Sequence, residues 1–182
     1  MGRLAAIPKD KLNDAQRRLF DKVMAQRGRV RGPFNVLIHA PEIGEPLTDL
    51  VQHYHQETRV PKNVKELAIL TIARHYTAQY EWLVHEPGAR KAGVPDAVIE
   101  AIRHRRTPSF ADPKEACVYA MVNELVAGKK ITAATYARAV ELFGEPALVE
   151  LVTQIGFYIA IAVLLVSFEV DVPADEKVPL AD

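Results

Sequence analysis

The sequence predicts an all-α fold of about eight or nine helices, and two features carry that prediction. Nearly every segment of the 182 residues places a helix-starting residue before an apolar repeat of helical spacing, with a glycine or proline beyond it. No run alternates apolar and polar residues in two-residue steps, and neither Asn-Gly nor Asp-Gly, the dipeptides typical of hairpin turns, occurs. We expect the helices to form a single domain over residues 1–182.

Five of the predicted helices lie in the first part of the chain. Asn13 is a favoured N-cap residue and Gly28 a favoured residue just beyond a helix, so together they bound the first helix. Pro41 opens the second pattern at the first helical position, where proline is well tolerated, and Pro61 opens the third. The five predicted helices run from Asn13 to Gly28, from Pro41 through Tyr54, from Pro61 through Thr71, from Ala78 to Lys91, and from Pro95 through Ile102.

The second part begins with the unpatterned stretch RHRRTPSFADP, residues 103–113, the best candidate for a hinge between two halves. Asp112, Pro113 and Glu115 then supply an N-cap, a proline at the first helical position and an acid at the third, a start similar to a capping box. The predicted helices here run from Asp112 to Gly128, from Thr132 to Phe143, and onward from Pro146 as a long apolar helix.

Within the one domain we distinguish N-terminal helices (1–60), a central region (61–103), C-terminal helices (112–170) and a tail (171–182). The tail, DVPADEKVPLAD, is rich in proline and acidic residues. We therefore expect it to lie extended on the surface or to be partly disordered.

The stretch from Ile155 to Phe168 is apolar throughout and has to be distinguished from a membrane span. It is shorter than the ~20 residues that a bilayer span needs, and Glu150 and Glu169 lie close to its ends. We therefore expect a helix buried on all sides, in a core or between subunits, and no membrane partner.

Charge balance and cysteine content exclude several classes of protein. Lys+Arg and Asp+Glu both number 23, so the basic excess of a nucleic-acid-binding protein or a polybasic membrane-surface module is missing. The one cysteine, Cys117, excludes an intrachain disulfide, a CxxC redox pair and a cysteine-rich zinc site. The N-terminal residues lack the continuous apolar core of a signal peptide, so we expect a cytoplasmic protein.

Candidate chemistry lies in the central region. Glu81 and His85 are four residues apart on a predicted helix, so their side chains share a face and can meet. A carboxylate beside an imidazole favours the protonated ring, and such a pair can relay a proton at neutral pH. Glu66 lies near the start of the preceding helix, and an antiparallel helix pair that turns near Thr77 would bring it to the same place. The alternative is a surface Glu–His pair with an unrelated, exposed Glu66.

The surroundings of this pair favour burial. Tyr80 and Trp82 flank Glu81, so little of the helix surface is polar, and buried ionisable groups must be paired or functional. Pro87 cannot donate a hydrogen bond to the carbonyl of the preceding turn, which predicts a bend or break just beyond His85 that would open space near the imidazole.

The spacing of Glu66, Ala78, Tyr80, Glu81 and His85 resembles the active-site signature of the carboxymuconolactone decarboxylase and alkylhydroperoxidase-D superfamily. In the peroxidase branch that signature is Glu, eleven residues, Cys, any residue, His, Cys, three residues and His. Glu66 and His85 stand at the positions of the proton-relay Glu and His. Both cysteines are replaced, by Ala78 and Glu81, and Tyr80 replaces the intermediate histidine. The resulting Glu-x-x-x-His pattern is similar to the decarboxylase-like branch.

The resemblance extends over much of the chain. The segments GPF (32–34), ELAIL (66–70), ARHYTAQYEW (73–82) and GFYIAIAVLLVSFEVDVP (156–173) look like the longer members of this superfamily. It implies an alkylhydroperoxidase-D-like helical bundle that forms homo-oligomers, as trimers or hexamers with a dimer as the alternative, and has its sites close to subunit contacts.

The same resemblance implies cofactor-free decarboxylation of a small acidic substrate, or hydrolysis or isomerisation of a related lactone. Loss of CO2 leaves a carbanion that a conjugated lactone carbonyl delocalises as an enolate, and the protein must then protonate carbon. We expect His85 to be the general acid, with Glu81 or Glu66 orienting it and retaining its proton. Arg74 is the candidate carboxylate clamp, because a guanidinium can bind both oxygens, and Tyr80 is the second candidate substrate-binding residue.

Other readings use the same residues differently. A dithiol peroxidase needs a thiolate and a resolving partner, whereas Cys117 lies in another predicted helix among apolar residues, where cysteine is typically a small buried hydrophobe. Glu81 and His85 could ligate a divalent metal ion, with Glu66 or His75 completing the site, but no HExxH motif supports this and we expect no metal. The last alternative is an oligomeric small-ligand-binding protein that keeps the fold without thiol activity.

Overall fold

The computed structural model describes residues 2–56 and 58–181, and these form nine α-helices and no β-strand. The all-α prediction is confirmed. The helices are α1 (Asp14–Arg27), α2 (Pro33–Leu37), α3 (Pro41–His55), α4 (Lys62–Tyr76), α5 (Gln79–Lys91), α6 (Asp96–Arg103), α7 (Pro113–Gly128), α8 (Ala133–Phe143) and α9 (Glu145–Ser167).

Helix ends follow the capping residues that the sequence indicates. The Asn13 side chain accepts a hydrogen bond from the Gln16 backbone N–H at 2.9 Å, and the Gln16 side chain accepts one from the Asn13 backbone N–H at 3.1 Å. Gly28 ends α1 in the left-handed region, with φ 69°. Asp112 caps α7 by accepting from the Lys114 backbone N–H at 2.8 Å.

The chain divides into two compact units. The first comprises Met1–Glu57 and Leu164–Asp171, and the second comprises Thr58–Val163 and Val172–Asp182. The hinge expected at 103–113 is therefore wrong, because that stretch lies inside the second unit. Helix α4 lies before this stretch and α7 begins at its end, and the two helices pack against each other. The segments on either side of the stretch therefore belong to one core.

In the first unit, α1 packs against α3, and α2 also packs against α3. Leu19 and Val23 of α1 are completely buried. A Cβ atom on Gly44 of α3 would lie 2.5 Å from Leu19 Cδ2 and 2.8 Å from the Leu37 carbonyl oxygen. Glycine is therefore needed at this position for α3 to pack so closely.

In the second unit, α4 is the central helix and packs against α5, α6 and α7. Every residue from Val64 to Arg74 is buried except Glu66, which is half-buried. A helix that is apolar on nearly all sides is held by its neighbours on all sides. This packing fixes the base from which Glu66 projects.

Most of the described residues of the C-terminal tail are exposed, and the tail is anchored to the second unit near Leu180. The Gln79 side chain donates to the Leu180 carbonyl oxygen at 2.9 Å and accepts from the Leu180 N–H at 2.9 Å. Arg103 donates to the Pro179 carbonyl oxygen at 2.8 Å, and Leu180 itself is buried. One apolar side chain and two polar anchors thus hold the chain end.

Helix α9 is longer than its apolar stretch, because it begins at Glu145. By length and composition it is the one helix among the described residues that could cross a membrane, with 23 residues and a mean hydropathy of 2.2 over its most apolar window. Buried positions within the protein account for 44% of that window, among them Leu151, Ile155 and Ala162. A core helix has the same signature, so the absence of a membrane partner stays a prediction.

Candidate functional site

A tight helical hairpin brings the candidate residues together. Helix α4 ends at Thr77, which has φ 51°, and α5 begins at Gln79. The Ala78 N–H donates to the Ala73 carbonyl at 2.8 Å, and the Thr77 N–H donates to the Arg74 carbonyl at 3.2 Å. This pair of hydrogen bonds is the Schellman arrangement, with threonine at the left-handed position that glycine usually occupies. Because the two helices run antiparallel, the start of α4 lies opposite the second half of α5.

His85 is held between two carboxylates. Its Nδ1 atom lies 2.8 Å from Glu66 Oε2, in a hydrogen bond between the two helices. Its Nε2 atom lies 3.4 Å from Glu81 Oε1, one turn away on α5. The structure therefore brings together all three residues that the sequence singled out as catalytic.

All three side chains are shielded from solvent, with exposed fractions of 8% for His85, 12% for Glu66 and 4% for Glu81. A surface Glu–His pair with an unrelated Glu66 is thereby excluded. Burial raises the pKa of Glu81 above its ordinary value of 4.5; His85 opposes this increase and the Glu66 carboxylate adds to it. No hydrogen bond from the described residues reaches Glu81 Oε1.

Gly88 makes room for the Glu66 carboxylate. A Cβ atom at this position would lie 3.0 Å from Glu66 Oε1 and 3.1 Å from Glu66 Cδ, which is tighter than ordinary contact. Gly88 is three residues after His85, so both face α4. We expected a bend or a break beyond His85. Pro87 lies inside α5, which continues to Lys91, so the break is wrong. The space for the triad of Glu66, Glu81 and His85 comes from a missing side chain rather than from a broken helix.

Helix α9 covers the imidazole. The Tyr158 ring packs edge-on against the His85 ring, with centroids 5.4 Å apart and an interplanar angle of 85°. Gln154 lies one turn earlier on the same face of α9 and is 1% exposed. Its Nε2 atom has no hydrogen-bond partner among the described residues. A buried amide donor without a partner costs about 1–3 kcal/mol, so its presence requires a reason.

Sequence reasoning missed Gly88, Gln154 and Tyr158 as parts of this site. Two of the three leave a weak signal: Gly88 shares a helix face with His85, and Gln154 is the one amide in α9. Neither signal is enough without the packing of α4 and α9 around α5.

The two predicted substrate-binding residues lie on different helices, Tyr80 on α5 and Arg74 on α4. Tyr80 is buried on α5, next to Glu81 in sequence. Arg74 is buried at the far end of α4 and lines a pocket with His75, Arg105 and Tyr119. Eight residues separate it from Glu66, which corresponds to about 12 Å along a helix. The structure thus places Arg74 in a pocket whose lining includes no member of the triad.

The comparisons with known proteins identify the fold. An uncharacterized peroxidase-related protein from Ralstonia eutropha JMP134, described as an alkylhydroperoxidase AhpD core, superposes with a TM-score of 0.75 at 13% identity, over 96% of this chain and 93% of that one. A peroxidase-related protein from Silicibacter sp. TM1040 superposes with a TM-score of 0.74 at 15% identity, over the same shares. The fold is that of the AhpD core. No family model and no curated protein matches the sequence.

On this AhpD-like fold the chain carries no thiol at its candidate site. Its one cysteine, Cys117, lies on α7 and is buried. Burial raises the pKa of the Cys117 thiol, which lowers the thiolate fraction at neutral pH. Among the described residues, no group of three His, Cys, Asp or Glu side chains is arranged to hold a metal ion. Both ring nitrogens of His85 face carboxylates, an arrangement that suits proton transfer.

Proposed function

We propose that Glu66, Glu81 and His85 form a proton relay that protonates carbon in the cofactor-free decarboxylation of a small acidic lactone, or in closely related lactone chemistry. The observation that carries this proposal is the position of His85 between two shielded carboxylates, at 2.8 and 3.4 Å. The AhpD-like fold and the resemblance of the Glu66 to His85 spacing to the decarboxylase-like branch support it.

Proton movement within the triad is easy because it leaves the total charge unchanged. Glu66 accepts the Nδ1–H hydrogen bond, which fixes the ring and points Nε2 at Glu81. With Glu66 ionised, the triad carries a single negative charge whether the shared proton lies on Glu81 or on His85 Nε2. A buried site resists a change in total charge far more than an internal transfer. The 3.4 Å distance between His85 Nε2 and Glu81 Oε1 shortens to a hydrogen bond when substrate fills the remaining space of the site.

In the proposed reaction, the carbon–carboxylate bond breaks and CO2 leaves. The electron pair passes into the conjugated lactone carbonyl as a dienolate. His85 Nε2 then delivers its proton to carbon, which neutralises the dienolate. This was the proton shared with Glu81, so Glu81 next takes up a proton from solvent and shares it with Nε2, which restores the relay. No oxidant, reductant or metal enters this balance.

Gln154 is the group that we assign to the dienolate oxygen. Its Nε2 atom is a buried donor without a partner among the described residues, on the face of α9 that places Tyr158 against His85. A preorganised donor aimed at developing charge is what stabilisation of an oxyanion requires. Arg74, predicted as the carboxylate clamp, lines another pocket and receives no role in this step.

Turnover of carboxymuconolactone, followed by its ultraviolet absorbance, tests the proposal with His85→Ala beside the parent. We expect the variant to lose a factor of about 10²–10⁴ in kcat, the usual contribution of general acid catalysis. His104→Ala is the matched control, because His104 pairs with Glu100 at the same i,i+4 spacing but in solvent, at 3.7 Å. It should turn over like the parent.

A second measurement separates proton delivery from binding. In deuterium oxide the product should carry one deuterium at the carbon that the relay protonates. Equal turnover by the parent and His85→Ala would overturn the role of His85. No lactone turnover at all would refute the decarboxylase proposal and leave small-ligand binding as the surviving function. Consumption of a hydroperoxide with a dithiol would contradict both.

A further inference from the structure

A second polar pocket lies at the end of α4 away from Glu66. It has a volume of about 150 Å³ and is formed by the last turns of α4, the segment after α6, and α7. The lining residues that matter here are Arg74, His75, Arg105, Arg106, Tyr119 and Asn123. None of its lining residues belongs to the triad, so this site is separate from the proposed relay.

The described residues that line the pocket concentrate positive charge. They include three arginines and one histidine, and none of those described is acidic. Arg105 donates a hydrogen bond to Thr77 Oγ1 at 3.0 Å. The side chain of Arg106 makes no hydrogen bond or ion pair with the described part of the chain. Two exposed guanidinium groups therefore have donors left for a ligand.

The backbone aims these two arginines. Arg105 has φ 55°, a left-handed backbone conformation that residues other than glycine rarely adopt. The Arg106 N–H closes the turn by donating to the Ala101 carbonyl at 2.8 Å. This turn directs the side chains of Arg105 and Arg106 to the pocket that Arg74 also lines. Arg74 is buried and forms the bottom of that pocket.

The electrostatics of the pocket are unfavourable when it is empty. Burial lowers the pKa of His75, and repulsion from Arg105 lowers it further. Arg105 and Arg106 are exposed and consecutive, and neither forms an ion pair with a carboxylate of the described residues. A ligand with two negative charges would remove the repulsion among them.

We propose that this pocket binds a small doubly charged oxyanion, namely a phosphate group. Arginine forks match the geometry of phosphate oxygens, and Arg105 and Arg106 can each supply one fork. The Tyr119 hydroxyl and the Asn123 amide are neutral donors at the same wall. The volume of about 150 Å³ accommodates a phosphate group. The ligand is inorganic phosphate or the phosphate of a small monoester.

Isothermal titration calorimetry with inorganic phosphate tests this, at constant ionic strength set with chloride. We expect saturable binding to the parent protein, weakened about tenfold in Arg106→Gln and further in Arg105→Gln/Arg106→Gln, because each substitution removes charged hydrogen bonds to the anion. Both positions are exposed, so the fold should persist, and unchanged far-ultraviolet circular dichroism checks this. A phosphorylated sugar as a second titrant distinguishes a monoester from the free ion by its higher affinity.

Arg138→Gln is the matched control, because Arg138 is an exposed arginine of the same unit that pairs with Glu141 outside the pocket. It should bind phosphate like the parent. Equal weakening in this control would reduce the effect to general charge and overturn the proposal. So would the absence of saturable binding to the parent, or saturable binding of succinate in place of phosphate.

Discussion

At the scale of single residues, a carboxyl group buried as deeply as that of Glu81 couples stability to pH. Burial raises the pKa of Glu81 above the ordinary 4.5. At a pH between 4.5 and the raised pKa, the folded state holds a proton that the unfolded chain has released. A state that binds more protons is stabilised relative to the other at low pH. The contribution of Glu81 to the free energy of unfolding is therefore greatest at about pH 4.5 and below, and it falls as the pH rises towards the raised pKa.

Glu81→Gln should remove this dependence. We expect the free energy of unfolding of the parent to fall relative to the variant as pH rises above 4.5, because the folded parent keeps a proton that the unfolded chain releases. Urea unfolding at a series of pH values measures it, and the slopes are compared because the buried amide shifts the baseline. Glu141→Gln, at an exposed carboxylate, should run parallel to the parent. Parallel curves for Glu81→Gln as well would contradict the prediction.

The buried amide of Gln154 lowers the stability of the fold, and we propose that it contributes to activity. Its buried Nε2 has no hydrogen-bond partner among the described residues, so Gln154→Leu should raise the free energy of unfolding by about 1–3 kcal/mol. If Gln154 stabilises the dienolate oxygen, the same variant should lose a factor of about 10²–10³ in kcat. Thermal unfolding and lactone turnover are measured on one preparation. A more stable variant with full turnover would confine Gln154 to a structural role.

How far the sequence predicts the site depends on how local the geometry is. The Glu81–His85 pair follows from helical spacing alone, and Glu66 follows once α4 and α5 form a hairpin. Arg74 was predicted as a carboxylate clamp because a guanidinium can bind both oxygens, yet it lies eight residues of helix from Glu66 and lines another pocket. Gly88 could not be predicted, because its role depends on which side chain of α4 faces it.

At the scale of helices, Gly88 determines how closely α5 packs over Glu66. Alanine normally stabilises a helix interior relative to glycine by about 0.5–1 kcal/mol. At Gly88 the new Cβ would press on the Glu66 carboxylate at 3.0 Å and move it by a few tenths of an ångström. We therefore expect Gly88→Ala to lower kcat by about tenfold, because the Glu66–His85 hydrogen bond loses its geometry, with little gain in stability.

Gly156→Ala is the control for this prediction. Gly156 lies inside α9, and nothing stands within 4 Å of the Cβ that alanine would add. This variant should gain the full helix-propensity benefit of about 0.5–1 kcal/mol and keep its turnover. Urea unfolding and kcat, measured for both variants, give the comparison. Equal behaviour of the two variants would show that Gly88 does not hold Glu66 in place.

The helices themselves were predictable where caps and periodicity agree. Asn13, Gly28 and Asp112 act at the helix ends that the sequence indicates. Helix α2 has only five residues, too few for an apolar period to be recognised. The hinge at 103–113 was wrong because an irregular segment marks a boundary only if few contacts cross it, and α4 packs against α7 there.

At the scale of the whole molecule, part of the apolar surface of α8 and α9 is uncovered. A groove of about 400 Å³ in the second unit is lined mostly by apolar residues, with Glu145 and Thr153 among them. The exposed fractions of Val149 and Tyr136 there reach 63% and 49%. A contiguous apolar groove of this kind is typical of an interface. We expect a second copy of the chain to cover it, since the resemblance implies homo-oligomers of three or six chains.

Val149→Asp tests this interface, because it introduces a charge that an apolar interface would have to bury. Size-exclusion chromatography with light scattering, in detergent-free buffer, should give the parent a mass that is a multiple of 20.2 kDa and the variant a mass near 20.2 kDa. Val178→Asp is the control, since Val178 is 66% exposed but lies in the tail, outside the groove.

A parent that elutes as a single chain would refute the oligomer. An oligomer that survives Val149→Asp would show that the interface lies on another surface. A parent that stays in solution only with detergent would instead favour a membrane role for α9, because an exposed apolar helix face needs either a partner chain or lipid.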